Sequence, residues 1–440
     1  MGCVSKIWRA VKRYLANCNL HGMRYLVADD LHWTERVFWL MICALCWWRC
    51  LVMVQDSLNG FYNQPVALTV ETMYLDWQTE FPAISICLRP HPVPMNIARS
   101  LHEKRHGTKI KVPNPWRWLF SSDILKASKQ QVAEFEKLTA DEIISLYTES
   151  IANCPSLLND CFYRSRKFNC CDEFRPLKTA AGQCYVFNSR HTRSDYKVLQ
   201  KFIMNKETGI GYIHIGFTPL AFAGGYIYVQ VYIHNPLEIP NRVTFSDKEI
   251  ITKPERVASV YFSMEDVFND AGLRSIPPKR RGCRFFDEAD GIYTSKWYSN
   301  NGCSIQIQME HMLKVCGCVS HLFPYVSGMP VCNYTGLQCL NKQHLEMKAK
   351  ENFRECLPSC EGVVIKYFQH INQKASQLFK VPQGLHLELF TLPPSRYRRY
   401  VLRSLLDLVV AVGSAAGLFL GAGILSIVEI PYWLWLRNDS

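Results

Sequence analysis

The hydrophobic positions of this chain gather into two long apolar runs, one towards each end, with a long stretch of mixed pattern between them. Residues 37–54 read Val-Phe-Trp-Leu-Met-Ile-Cys-Ala-Leu-Cys-Trp-Trp-Arg-Cys-Leu-Val-Met-Val, with one charge, Arg49. The second run, Val401 to Leu436, exceeds the roughly 20 residues a helix needs to cross a bilayer. The pattern predicts transmembrane helices over 37–57 and 399–436, the first carrying tryptophans that suit an interface or a helix contact. Arg49 near the centre of a span would cost about 2.5–3.5 kcal/mol, so it is expected to snorkel or face another helix.

Residues 58–398 carry both periods. Thr139-Ala-Asp-Glu142 has the form of a capping box, and Ile143, Ile144, Tyr147 and Ile151 follow at helical spacing. Residues 225–234 read as a strand that stops at Asn235-Pro236. Residues 257–262 repeat the strand character before a helical stretch from Met264, and Gln306 to Lys314 read as a helix. No repeat or low-complexity linker interrupts them. The expectation is a single β core with peripheral helices, an α+β domain between two spans.

Composition narrows the class. The chain has 440 residues, 48% of them hydrophobic, enough for a large core and two spans. Its formal charge of +12 is not organised with a nucleic-acid motif, so no nucleic-acid partner is expected. Phosphate loops, dinucleotide fingerprints and metalloprotease or serine-hydrolase motifs are missing, and Gly209-Ile-Gly211 reads as a turn. The expectation is therefore a non-enzyme with no catalytic, cofactor or metal site.

Charge also orients the chain. Residues 1–36 carry Lys6, Arg9, Lys12, Arg13, Arg24 and Arg36 but lack a signal peptide's apolar core and cleavage site. No Lys or Arg occurs between Arg49 and Arg89, which places this tail in the cytoplasm; two spans return residues 437–440 there too. Arg396, Arg398, Arg399 and Arg403 precede the second span on the outer side and run against this bias. The first span usually sets orientation, so the assignment stands.

Of the 19 cysteines, Cys3, Cys18, Cys43, Cys46 and Cys50 fall in the tail or first span, and the remainder, an even number, lie between the spans. An even number outside the cell reads as a disulfide framework. A zinc site from Cys316, Cys318, Cys332 and Cys339 is the alternative, although the spacing fits no common finger. Asn333-Tyr-Thr335 is a glycosylation acceptor; Asn438-Asp-Ser440 is another that a cytosolic terminus would leave unused.

The second run holds the candidate chemistry. Gly413, Ser414, Gly417, Gly421 and Gly423 crowd small residues onto neighbouring turns, bracketed by Asp407 and Glu429. Small residues let helices approach, or let backbone open where it lines a cavity, while acids within a span face water or a partner. Two readings follow: a cation pore helix, or a helix-dimerisation face.

These features sit among short motifs in a telling order. His21-Gly22 precedes the first span; Phe81-Pro-Ala-Ile-Ser-Ile-Cys87 follows it. Then come Cys161 to Asn188 with Cys170-Cys171 and Gly182-Gln-Cys-Tyr-Val-Phe-Asn188, Ile233-His-Asn-Pro236, Arg281-Gly-Cys283-Arg-Phe285, Cys316-Gly-Cys318 and Cys356-x-x-x-Cys360. Gly417-Leu-Phe-Leu-Gly421 and Leu425-Ser-Ile-Val-Glu429-Ile close the series. Nearly end to end, the chain resembles the degenerin/epithelial sodium channel family, and most of all its insect pickpocket branch.

The resemblance implies a multi-pass plasma-membrane protein, a homo- or hetero-trimer with related subunits, three second spans lining an amiloride-sensitive path for Na⁺, and gating through the extracellular domain. It implies the pairs Cys87–Cys184, Cys283–Cys360, Cys303–Cys356, Cys316–Cys339 and Cys318–Cys332. Two bridges remain among Cys154, Cys161, Cys170 and Cys171, with Cys161 bonded to one of the vicinal pair. A further pair of acid-sensing relatives, near Ile307 and Arg354, is missing from both sides. The family's Gly/Ser-x-Ser constriction reads Gly421-Ala422-Gly423, which loses a hydroxyl and puts Na⁺ over K⁺ preference in doubt. Val410 stands where the family keeps a small residue and bulk favours opening. Ala411 replaces a polar or acidic pore residue, and Asp407, one turn outward, either forms the cation-concentrating ring or pairs with Arg403. His21 and Gly22 match a gating motif, or His21 is a solvated tail residue. Glu429 belongs to the inner pore, or is an interfacial charge. The opening stimulus would act on a variable surface such as residues 105–150. A non-conducting accessory or receptor-like subunit is the alternative function.

Overall fold

The computed structural model describes residues 2–72, 77–88, 92–107, 116–120, 133–193, 200–218, 229–240, 256–343, 356–374 and 384–433. Expectations for 225–228, Arg354 and 434–440 lie outside these residues, among them the end of the second span and Asn438. The chain divides into two compact units, one of Met1–Leu68, Asp270–Arg281 and Arg399–Ser440, the other of Thr69–Asn269 and Gly282–Arg398.

The larger unit is built on strands. Arg256–Asn269, Gly384–Leu389, Tyr212–Phe217, Leu158–Tyr163 and Arg166–Phe168 lie side by side in that order, with Gly362–Lys374 also paired to the first. A four-stranded sheet runs Val229–His234, Ala83–Leu88, Gly182–Phe187, Arg175–Thr179. Ala83–Leu88 is buried on both faces: Ile84 and Ile86 enter a core with Phe81, Phe187 and Phe262, while Ala83 and Cys87 join Cys184, Val186 and Tyr232. That explains its apolar run without alternation. A second core gathers Trp116, Trp118, Phe135, Tyr147, Met309 and Tyr334.

The capping box at Thr139 and Glu142 opens the helix Ala140–Ser150, whose Ile143, Leu146 and Tyr147 are buried. Gln306 to Lys314 fall inside a longer helix, Asn300–Cys316, which stops at Gly317 with φ of 70°. The helical stretch expected from Met264 does not form. Arg256–Asn269 is one strand, and Met264 to Val267 continue its ladder opposite Ile365 to Gly362, past an irregularity at Tyr261/Phe262. Met264 is fully buried there. Long-range pairing overrides the local pattern.

Seven disulfides close the unit: Cys87–Cys184, Cys154–Cys171, Cys161–Cys170, Cys283–Cys360, Cys303–Cys356, Cys316–Cys339 and Cys318–Cys332. The zinc reading of Cys316, Cys318, Cys332 and Cys339 is thereby excluded, since all four are bonded to sulfur. Arg396 donates to Asp266 at 2.8 Å, and Arg398 to Glu71 at 3.2 Å. Part of the basic cluster that ran against the charge bias is thus neutralised by acids of the same unit.

The smaller unit is helical: Gly2–Asn17, Met23–Val27, Trp33–Asn63, Leu405–Leu420 and Ile424–Pro431. Trp33–Asn63 reaches beyond 37–57 at both ends; His32 caps it by accepting from Thr34 N–H. Its buried residues are Cys43 and Cys50, while Val37, Phe38, Leu40, Met41, Leu45, Trp48 and Leu51 are exposed. An apolar helix with so much open surface is built to meet lipid or other chains. Among the described residues it is the one helix long and apolar enough to cross a membrane by itself. Arg49 is exposed, its guanidinium 5.7 Å from the Trp48 ring centre.

The second run departs from the single helix expected over 399–436. Arg399 to Val401 finish a strand, the helix begins at Leu405, and it breaks after Leu420 into a second segment bent by 68°. Arg403 does not pair with Asp407. Its guanidinium packs on Gly60 and reaches the Ser57 carbonyl at 3.4 Å, tying the start of this segment to the first long helix.

Candidate functional site

The break falls on Gly421-Ala422-Gly423. Gly421 has φ of +66°, a backbone state in which a side chain is strained. Its N–H returns to the Gly417 carbonyl at 3.0 Å and that of Ala422 to Ala416 at 3.2 Å, which closes the helix. Gly423 is extended and starts the next helix, with its N–H donated to Ser426 Oγ at 3.2 Å. Three residues of non-helical backbone therefore sit inside an apolar segment. Such backbone is tolerated at membrane depth where it is buried in protein or lines a water-filled cavity.

The N-terminal tail closes on this break. The His21 N–H donates to the Leu420 carbonyl at 2.8 Å, satisfying one of the groups a helix end leaves open. A side chain on Gly421 would meet the His21 ring at 2.5 Å. Gly22, at φ of +79°, turns the chain into Met23–Val27, and a side chain there would meet Cys43 Sγ at 2.6 Å. Cys43 in turn directs its thiol to the His21 carbonyl at 3.7 Å. Tyr25 stacks on Trp39, ring centres 4.4 Å apart. The backbone of His21 and Gly22 thus lies between the first long helix and the break, while His21 as a residue is exposed.

Glu429 is engaged too. Asn19 donates its backbone N–H to Oε2 at 3.3 Å and its side-chain amide to Oε1. Beside it, Cys50, Ala415 and Leu420 form a small buried cluster against which Leu20, Val54 and Ala422 pack. At the other end, Asp407 completes a capping box: its carboxylate accepts from Ser404 N–H and Oγ at 2.8 Å each, and its own N–H donates to Ser404 Oγ at 3.2 Å.

Asp407, Val410, Gly413, Ser414 and Gly417 are all exposed, and spacings of three and four put them on one face of the helix. Ala411 is half-buried, at the margin of that face. Gly413, Gly417 and Gly423 have open space where a side chain would stand. Asn333 is exposed, its side-chain oxygen accepting from Gly336 N–H at 2.9 Å. Sequence reading missed Asn19, Cys43, Ser404 and the placement of Arg403. Ser404-x-x-Asp407 carried a legible capping signal; the other three depend on contacts across the fold and carried none.

A bent apolar segment with a glycine break contacted by the tail, beside an apolar helix of spanning length, is an arrangement that suits a membrane protein. The family described as amiloride-sensitive sodium channel matches residues 14–433, and the chain belongs to that family of ion channels. It is 23% identical to "Sodium channel protein Nach" of Drosophila ananassae, over 98% of this chain and 87% of that protein. It is 22% identical to "Pickpocket protein 28" of Drosophila melanogaster, over 98% of this chain and 79% of that one. With the human "Bile acid-sensitive ion channel" it shares 22% over 96% of this chain and 85% of the other. Among solved structures, a proton-activated chloride channel aligns with 91% of this chain and 96% of its own at 8% identity, with a TM-score of 0.25 that supports no likeness of fold.

Proposed function

We propose that this chain is one subunit of a trimeric plasma-membrane channel that passes Na⁺, with both termini cytoplasmic, residues 58–398 outside the cell, and block by amiloride. The observation that carries the reading is the break at Gly421-Ala422-Gly423. Three copies around an axis would offer backbone carbonyls to a partly dehydrated cation, the means by which filters replace a hydration shell. Gly423 supplies no hydroxyl, so backbone alone does this work at the inner position. Asp407, exposed at the first turn, is the group that would concentrate cations as a ring of three. Val410, exposed on the same face three residues on, is the gate position whose bulk favours the open state. The extracellular domain, stapled by its disulfides, receives the stimulus and passes it to the spans, and Asn333 carries a glycan.

The test is voltage clamp of cells expressing this chain alone, with external Na⁺ replaced stepwise. The expected result is an amiloride-sensitive current whose reversal follows the Na⁺ gradient and which Val410→Ala reduces. Surface-delivered protein without current under any stimulus would overturn the reading in favour of a non-conducting accessory subunit.

A further inference from the structure

The helix Gly2–Asn17 precedes the segment that touches the break, and its own pattern is unused by anything above. Val4, Ile7, Trp8, Val11, Tyr14 and Leu15 recur along it three and four residues apart, an apolar stripe on one side. Lys6, Arg9 and Arg13 keep the same spacing on the other side. The first acid of the chain is Asp29, so the helix carries positive charge alone. The stripe is not fully absorbed by the chain itself. Val11, Tyr14 and Leu15 are half-buried, whereas Trp8 is 63% exposed.

The helix is held beside the ends of both apolar segments. Lys12 Nζ lies 2.7 Å from Asp29 Oδ1, just ahead of Trp33–Asn63. Beyond its end, the Asn19 N–H donates to Glu429 at 3.3 Å and the His21 N–H to the Leu420 carbonyl at 2.8 Å. A helix tethered at the ends of two spans meets the membrane boundary, where an amphipathic helix lies flat with its apolar side in the acyl region. Tryptophan is favoured at that depth. Charge then selects the lipid. Basic residues without a nearby acid complement an anionic leaflet, each adding attraction close to the surface. A soluble acidic protein that wraps a basic amphipathic helix is the other reader of such a pattern. It is less well served here, because Lys12 is engaged by Asp29 and the helix packs on Met23–Val27.

We propose that Gly2–Asn17 lies in the plane of the inner leaflet as an anchor for anionic phospholipid, with phosphatidylserine as the probe. Trp8, Val11 and Leu15 enter the acyl boundary, and Lys6, Arg9 and Arg13 take the headgroup charge. The same tail contacts the Gly421 break through His21, so lipid charge bears on that break. The proposal rests on the cytoplasmic placement of the tail proposed above, not on conduction.

The test is hydrogen exchange of the full-length protein in nanodiscs of phosphatidylcholine, without and with about 30% phosphatidylserine. Amide protection over residues 2–17 should rise on the order of tenfold with phosphatidylserine. Most of that gain should be lost in about 1 M salt, where the screening length shortens to about 3 Å. Lys6→Gln, Arg9→Gln and Arg13→Gln together should keep the protection seen in phosphatidylcholine and lose the gain. Trp8→Glu should lower protection in both mixtures, and Trp8→Phe should retain it. Equal protection of the natural chain in the two mixtures, as a neighbouring subunit covering this face would give, would overturn the proposal. Protection that ignores phosphatidylserine and requires added calmodulin would do the same. Antibody staining of a tag on the tail in intact cells would overturn the cytoplasmic placement, and the inner leaflet with it, while leaving the exchange result as it stands.

Discussion

The backbone N–H of His21 donates to the Leu420 carbonyl, and the His21 ring occupies the place a side chain on Gly421 would need. The tail therefore reads the conformation of the break directly. Gly421→Ala introduces a left-handed alanine, costing about 1–2 kcal/mol, and a clash with the imidazole. We expect current at constant surface density to fall by a factor of roughly 5 to 30. His21→Ala in the same chain should restore part of it, since the ring clash goes and the strain stays. Single-channel recording with surface biotinylation measures both. Undiminished current in Gly421→Ala would mean that this contact plays no part in opening.

Gly413 and Gly417 face open space in the protomer. Alanine there adds about 1 kcal/mol of helix propensity per site and meets nothing in the chain itself. If this face lines the path or meets neighbouring subunits, Gly417→Ala should lower the trimer fraction or the conductance despite that gain. Mass photometry and conductance are the readouts. A more stable protein with unchanged assembly and current would place the face against lipid.

How far the sequence could be read depended on whether a signal was local. The capping box at Thr139, the strand Val229–His234 and the first span were written in neighbouring residues. Met264 misled because its spacing suited a helix while its ladder partner, Ile365, lies far along the chain. The glycine run announced an unusual segment, but a 68° bend depends on backbone closure and on His21, which no periodicity encodes. Asp407 gave two readings, pore ring or Arg403 pair. The structure removes the second, because Arg403 is drawn to Ser57 and Gly60 instead.

Disulfide loops give a graded expectation. Cys87 and Cys184 are 97 residues apart and stand opposite each other in paired strands, whereas Cys161 and Cys170 are separated by 9. Chain-entropy reasoning assigns about 4.7 kcal/mol to a loop near 100 residues and about 2.5 kcal/mol to the short one. The double serine variant at 87 and 184 should therefore lose surface delivery first, and that at 161 and 170 should show a smaller fall in Tm. The reverse order would mean that local strain, not loop closure, governs the framework.

Acid should weaken the larger unit through its buried histidines. His321 is 2% exposed, and its Nε2 donates to the Leu119 carbonyl at 2.8 Å. Burial first, and then the charge of Lys178, push its pKa from 6.5 to about 4. Burial does the same to His191, His214 and His234. Each folded pKa is depressed, so above pH 6.5 both states are neutral and nothing is lost. Between 6.5 and about 4 the unfolded chain takes up protons that the native state refuses, and stability falls as pH falls, at up to about 1.4 kcal/mol per pH unit for each such group. His321→Gln keeps a donor for the Leu119 carbonyl but cannot titrate. We expect it to make the acid slope of Tm in the full-length protein shallower between pH 6.5 and 5. A slope identical to that of the natural chain would mean that His321 takes up its proton in the folded state as readily as in the unfolded one.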